Sequence, residues 1–367
     1  MTLHVLKHGP YRRRIVVLMT TITCLLTVDI LVRRAKPRLD PFYIDRYRRK
    51  LSAAASAKPD ILLIGSSRLK YALAPEVIQQ AIGLRAFNYG IPAAKVIEWQ
   101  WMALEGIERV RPRLVVLGVN ASAIRADYLP VPAARNLFTL PDFLAYCRSD
   151  GWSGTIAEHF LDRRVMSVWA LSHRRFEVKM LIQRQLGCIL PKYAQAALER
   201  EAWIGKPCPP DGYEHPWLYG RRLKTLGQSL DEDPGSIMKA NVPAFSANAT
   251  AITHFEELLD WFNEQRVPLL VAYLPNSPVA EERWADVEPS MEQVLATACQ
   301  VRNIPFLSCN RQDIPRTNYD YLDELHAGLP LARRITRRIA DHIVQLGLID
   351  EMRSQVAVTA ESDATTP

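Results

Sequence analysis

The sequence predicts an α/β protein in which a parallel sheet is covered by helices on both faces. Short apolar runs recur and stop on a glycine or a small polar residue, as in Ile61-Leu62-Leu63-Ile64-Gly65-Ser66-Ser67 and Leu114-Val115-Val116-Leu117-Gly118-Val119-Asn120. Segments with apolar residues at helical spacing alternate with these runs, and the same rhythm returns after residue 250. Strand–helix alternation of this kind builds parallel sheets, which bind ligands at the carboxyl ends of their strands.

The chain opens on a basic stretch, residues 1–14, with Lys7, Arg12, Arg13 and Arg14. Residues 15–32 are apolar or hydroxylated apart from Asp29. At 1.5 Å per residue they cover roughly 27 Å, enough for one short membrane span. Arg33-Arg34-Ala35-Lys36 follows in place of a small-residue cleavage site, so the segment reads as an uncleaved signal anchor. A basic N-region before a single anchor leaves the long C-terminal part outside the cytoplasm. The expected location is therefore the cytoplasmic membrane, single-pass, with a periplasmic or extracytoplasmic domain and membrane lipid as a partner. Residues 33–58 read as a helical juxtamembrane connector whose charges form a solvated face.

Within a domain spanning 59–350, strands are expected at 61–64, 86–90, 113–120, 267–275 and 304–307. Helices are expected at 75–82, stopped by Gly83, and at 96–109, 252–264, 291–302 and 329–346. The alternation lapses over about 121–250, which reads as a helical and loop insertion. Helical segments there include 165–186 and 193–203, and Trp152, Trp169, Trp203 and Trp217 are candidates for stacking on sugar rings or for plain packing. Residues 351–367 are small and polar and read as a disordered tail.

Of 367 residues 48% are hydrophobic and 23% charged, which fits neither a wholly disordered chain nor a polytopic membrane protein. The net charge of +7 is concentrated beside the apolar N-terminal run, where lipid headgroups account for it, and no nucleic-acid module is present. The six cysteines show no metal-ligand spacing, and Cys188 with Cys208 flanks a proline-rich stretch as a candidate disulfide. No metal or cofactor is called for.

The chemistry lies where serine ends the first strand and asparagine ends the third. Asp323-Glu324-Leu325-His326, just before the last helix, sets a carboxylate three residues ahead of a histidine. That spacing lets the acid hold the imidazole in the tautomer whose other nitrogen faces a hydroxyl. A serine nucleophile needs a base, an orienter and oxyanion donors, and the chain offers each. Arg68 is a candidate for binding an anionic substrate group, the alternative being a solvated arginine.

Four blocks in this order, Gly65-Ser66-Ser67, Asn88-Tyr89-Gly90, Gly118-Val119-Asn120 and Asp323-Glu324-Leu325-His326, resemble those of the SGNH hydrolases, the GDSL-type esterases. The membrane-anchored branch, similar to O-acetyl esterases and acetyltransferases of cell-envelope polysaccharides, is the nearest in pattern. The resemblance implies an SGNH-like, flavodoxin-like three-layer fold with Ser67 as nucleophile, His326 as base and Asp323 as its orienter. It places the oxyanion donors on the Ser67 amide, the Gly90 amide and the Asn120 side chain. It implies an acylated glycan or other ester as substrate and a membrane-bound acyl-donor protein as a possible partner. Ser66 stands where the family usually has aspartate, a change familiar in the anchored branch, and Ala121 stands where an aspartate often follows the asparagine, which keeps a catalytically inactive scaffold binding glycan or a membrane acyl-donor partner as the alternative.

Overall fold

The computed structural model describes residues 44–124, 140–149, 151–166, 208–215, 224–232, 248–309 and 314–349, together with isolated positions between 16 and 27. The expected basic N-terminus, most of the span at 15–32, residues 33–43, the tail at 351–367, Cys188, residues 167–186 of the helix expected over 165–186 and the helix expected over 193–203 lie outside the described residues. Among those described, no helix is long and apolar enough to cross a membrane. The chain divides into two compact units, Met1–Arg46 with Ala134–Pro207, and Tyr47–Ala133 with Cys208–Pro367.

The second unit holds the sheet. Its strands are β1 (Ile61–Gly65), β2 (Ala86–Gly90), β3 (Leu114–Val119), β4 (Leu269–Tyr273) and β5 (Phe306–Ser308), in the order β2-β1-β3-β4-β5 with every neighbouring pair parallel. Every residue of β1 to β4 is buried, which is why these strands read as continuous apolar runs. Pro305, with no N–H for the ladder, precedes β5 and delays its start to Phe306.

The helices follow the strands. They are α1 (Ile44–Ala57), α2 (Ser67–Ala72), α3 (Pro75–Ile82) and α4 (Val96–Val110), then α5 (Leu140–Ser149) and α6 (Gly154–Met166) in the first unit. Then come α7 (Leu226–Glu232), α8 (Ala249–Glu264), α9 (Pro278–Arg283), α10 (Glu288–Val301) and α11 (Leu329–Gln345). On one face of the sheet Ile61 and Leu63 pack with Leu331, Ile335, Ile339 and Ile343, a four-residue stripe along α11. Leu62 points the other way, against Gly106 of α4. In α8 the Asn248 side chain accepts the Ala251 N–H at 3.1 Å, which sets its start three residues before the expected one.

A row of three glycines crosses the carboxyl edge of the sheet, with Gly65 opposite Gly90 on one side and Gly118 on the other. Each clears space for α2. A methyl group on Gly65 would lie 2.7 Å from Leu69 Cβ, one on Gly90 2.7 Å from the Lys70 backbone nitrogen, and one on Gly118 2.6 Å from Leu69 Cδ1.

The connector expectation needs correcting at α1. Tyr47, Lys50, Leu51 and Ala54 are buried at helical spacing, so this face packs on the domain. Lys50, read as solvated, is 1% exposed, and its ammonium donates to the carbonyls of Asn88 (3.0 Å), Gly90 (3.2 Å) and Gly212 (2.9 Å). In the first unit, Phe143 stacks on Phe160 at 4.2 Å and Trp152, 72% exposed, meets the Phe143 ring edge-on.

Candidate active site

β1 delivers its hydroxyls where α2 begins. Ser66 is the N-cap, its side chain accepting the Arg68 N–H at 3.3 Å, and Ser67 is the first helical residue. At that position a backbone N–H has no intrahelical acceptor. Ser67 Oγ lies 2.9 Å from His326 Nε2 across 259 residues of sequence, and His326 Nδ1 lies 2.7 Å from Asp323 Oδ2. A carboxylate only accepts, so the imidazole proton sits on Nδ1 and the Nε2 lone pair receives the serine hydroxyl.

The base and its orienter share one tight loop. Tyr321 and Ala327 form an antiparallel bridge, Leu322 N–H donates to the His326 carbonyl at 2.8 Å, and Gly328 N–H donates to the Asp320 carbonyl at 2.7 Å. The loop is tied to the end of β4, where Tyr321 Oη donates to the Asn276 carbonyl (2.6 Å), Ser277 N–H to the Glu324 carbonyl (3.1 Å), and Arg283 pairs with Glu324. From the insertion side, Leu226 N–H donates to the Tyr321 carbonyl at 2.8 Å. The Asp323 side chain is 57% exposed, with Oδ1 accepting the Leu325 and His326 amides. Partial desolvation would raise its pKa, but the hydrogen bond and charge of His326, with the two amides, outweigh that and hold it below the usual carboxylate value.

Asn120 is buried at the end of β3. Because Gly65 and Gly118 are in register, Ser67 and Asn120 both stand two residues beyond the glycine row, past the ends of adjacent strands. Gly90 departs from the expectation. Its N–H donates to Asn88 Oδ1 at 3.0 Å and its carbonyl takes the Lys50 ammonium, so the amide assigned to an oxyanion is already engaged. The chain then turns at Ile91–Ala94, with Ala94 N–H donating to the Ile91 carbonyl at 3.2 Å and Ala93 at φ 62. An alanine in the left-handed region carries about 1 kcal/mol of strain, and sites beside reacting groups are where such strain collects.

Arg68 also departs from the solvated reading. It is 4% exposed, and Nη1 has no hydrogen-bond partner among the described residues. Burial lowers its pKa, against the opposing pull of Tyr273, Glu288, Tyr321 and Asp323. It underlies the triad loop instead of projecting into solvent.

Lys70, Tyr213, Glu214 and His215 escaped sequence reasoning because they arrive from the insertion or pair with it. Residues 208–215 form a strap along the edge of β2, with Asn88 N–H donating to the Asp211 carbonyl at 2.7 Å. Buried Lys70 pairs with Glu214 at 3.0 Å, Tyr213 Oη donates to the Tyr71 carbonyl at 3.2 Å, and His215 Nε2 lies 3.0 Å from the Ala327 carbonyl. The Asp211-Gly212 pair was the available signal, a turn dipeptide whose glycine sits at φ 70 against the Asn88 carbonyl.

A separate cavity of about 200 Å3 opens at the ends of β4 and β5, between Tyr273, Asn276, Glu288, Glu292, Ser308 and Arg316; the triad does not line it. Among the described residues no cluster of His, Cys, Asp or Glu is arranged to hold a metal ion.

No protein-family model matches the sequence, and no curated protein matches it. Among solved structures, one match is a GDSL-like lipase from Bacteroides thetaiotaomicron, at 8% identity and a TM-score of 0.36, covering 82% of this chain and 98% of that one. The hydrogen-bonded serine, histidine and aspartate, not this likeness, carry the functional reading.

Proposed function

We propose that the chain is a serine-dependent esterase or acyltransferase acting on O-acyl groups, O-acetyl foremost, of an envelope or exported glycan. One observation carries the reading: Ser67 Oγ, His326 and Asp323, brought from distant segments, form a continuous hydrogen-bonded relay at the carboxyl edge of a parallel sheet. Ser67 Oγ attacks the ester carbonyl while His326 Nε2 takes its proton. The tetrahedral oxyanion is met by the Ser67 amide and the Asn120 side chain. As the carbon–oxygen bond breaks, His326 returns the proton to the leaving alcohol, and Asp323 stabilises the imidazolium in between. Water, or a sugar hydroxyl activated by the same histidine, then takes the acyl group from Ser67 and regenerates the free serine. No step requires a metal or cofactor.

The basic N-region ahead of residues 15–32 supports a single-pass anchor in the cytoplasmic membrane with this domain outside, where an acyl-donor membrane protein would meet it. The engaged Gly90 amide leaves one oxyanion donor fewer than the resemblance implies, which favours the scaffold alternative. Hydrolysis of 4-nitrophenyl acetate and release of acetate from an acetylated polysaccharide by the full chain decide between them. Turnover abolished by Ser67→Ala supports the enzyme; wild type and Ser67→Ala at the same background rate refute it.

A further inference from the structure

We propose that His215, contributed by the insertion, is a positioning residue for the triad: its Nε2–H donates to the Ala327 carbonyl and so fixes the loop that aims His326 at Ser67. The inference rests on the serine-hydrolase reading above. Ala327 directly follows His326 and closes the loop by its bridge to Tyr321, so the orientation of its carbonyl and that of the imidazole are coupled through one peptide unit. His215 is fully buried and lies 3.0 Å from that carbonyl, a separation of 112 residues in sequence. Since a carbonyl only accepts, the proton sits on Nε2.

The same strap reaches the other side of His326. The Tyr71 ring lies 4.9 Å from the His326 ring and 5.8 Å from the His215 ring, edge-on to each. Tyr71 is itself held by Tyr213 Oη at its carbonyl, and Lys70 before it is paired to Glu214. The two imidazoles thus flank one tyrosine, and residues 213–215 touch both the helix bearing the nucleophile and the loop bearing the base. Burial, reinforced by the Lys70 charge, lowers the His215 pKa to about 4 against the opposing Ala327 hydrogen bond. The ring therefore stays a neutral donor at neutral pH. A phenylalanine would fill the same space without the donor, so filling and positioning are separable.

The test compares His215→Phe with His215→Gln, whose amide nitrogen reaches where Nε2 stands, in the full chain. Two readouts are taken: kcat and KM on 4-nitrophenyl acetate, and the downfield NMR resonance of the His326 Nδ1 proton bound to Asp323. His215→Phe is expected to lower kcat on the order of 10²-fold at nearly unchanged KM and to lose the resonance to exchange, while His215→Gln keeps both. Wild-type kcat and resonance in His215→Phe, or equal losses in the two variants, would overturn the proposal. Should His215→Phe not fold, His215→Asn, whose amide stops short of Ala327, takes its place. Absence of Ser67-dependent turnover in the wild type counts against the hydrolase reading alone, and the resonance still decides the role of His215.

Discussion

Acidification singles out His215 in the stability of the fold. The ring is buried beside the Lys70 ammonium and the Tyr71 and Tyr213 rings, with Glu214 next to it in the chain; burial is the main cause that lowers its pKa from 6.5 to about 4. Between those values the unfolded chain binds a proton that the folded chain refuses, so stability rises with pH across the window. The contribution is complete above about pH 6.5 and is lost as the pH falls toward 4. At ~1.4 kcal/mol per pH unit, the interval from 6.5 down to about 4 amounts to about 3.5 kcal/mol at most. That is a large part of the stability of an ordinary domain.

The assay is urea unfolding of wild type and His215→Gln in steps from about pH 7.5 to about pH 4.5. Carboxylates held below their usual pKa, such as Asp320 and Asp323, also destabilise the fold on acidification, but they titrate lower and are common to both proteins. The difference between the two curves therefore belongs to residue 215. It is expected to shrink or reverse toward low pH by about 2.5 kcal/mol at about pH 4.5, because glutamine does not titrate. A difference that stays constant from neutral to acid, or a folded-state His215 that titrates by NMR near 6.5, would refute the reasoning.

Further perturbations act on named contacts. Asp323→Asn keeps the size of the orienter but allows the wrong imidazole tautomer, and is expected to lower kcat by about 10⁴-fold, read by steady-state kinetics. Gly90→Ala puts a methyl group 2.7 Å from the Lys70 backbone nitrogen. It is expected to cost about 1–3 kcal/mol in denaturant unfolding; an unaffected midpoint would show that α2 shifts freely. Lys50→Met withdraws the ammonium from three carbonyls, and a loss of about 3 kcal/mol is expected in the same measurement. A neutral result there would mean that water replaces the lysine.

Which parts of this molecule are legible in the sequence follows from how far apart the interacting residues lie. β1 to β4 are recognisable because burial on both faces makes each a continuous apolar run, and α3 because Pro75 opens it and Gly83, at φ 74, closes it. Asp323 and His326 are recognisable because their hydrogen bond is local, three residues apart. α9 carried a readable start in Ser277-Pro278, a cap followed by proline, yet six residues leave too little periodicity to register.

Lys50, Lys70, Arg68 and His215 are a different case. A buried cation is tolerable only when partners compensate its lost hydration, and those partners sit 38 to 162 residues away for Lys50. Nothing in the neighbouring sequence distinguishes such a cation from a solvated one, so Lys50 reads as a surface charge and Arg68 as an anion-binding or solvated arginine. Gly90 shows the same limit from the other side. Its sequence context gives a glycine at a strand end, consistent with a donor amide, but what demands glycine there is the approach of the Lys70 backbone. The nucleophile–base pair and the sheet that presents it follow from local pattern, whereas the machinery that holds them in place is built from charges whose meaning exists only once the insertion has folded back along β2.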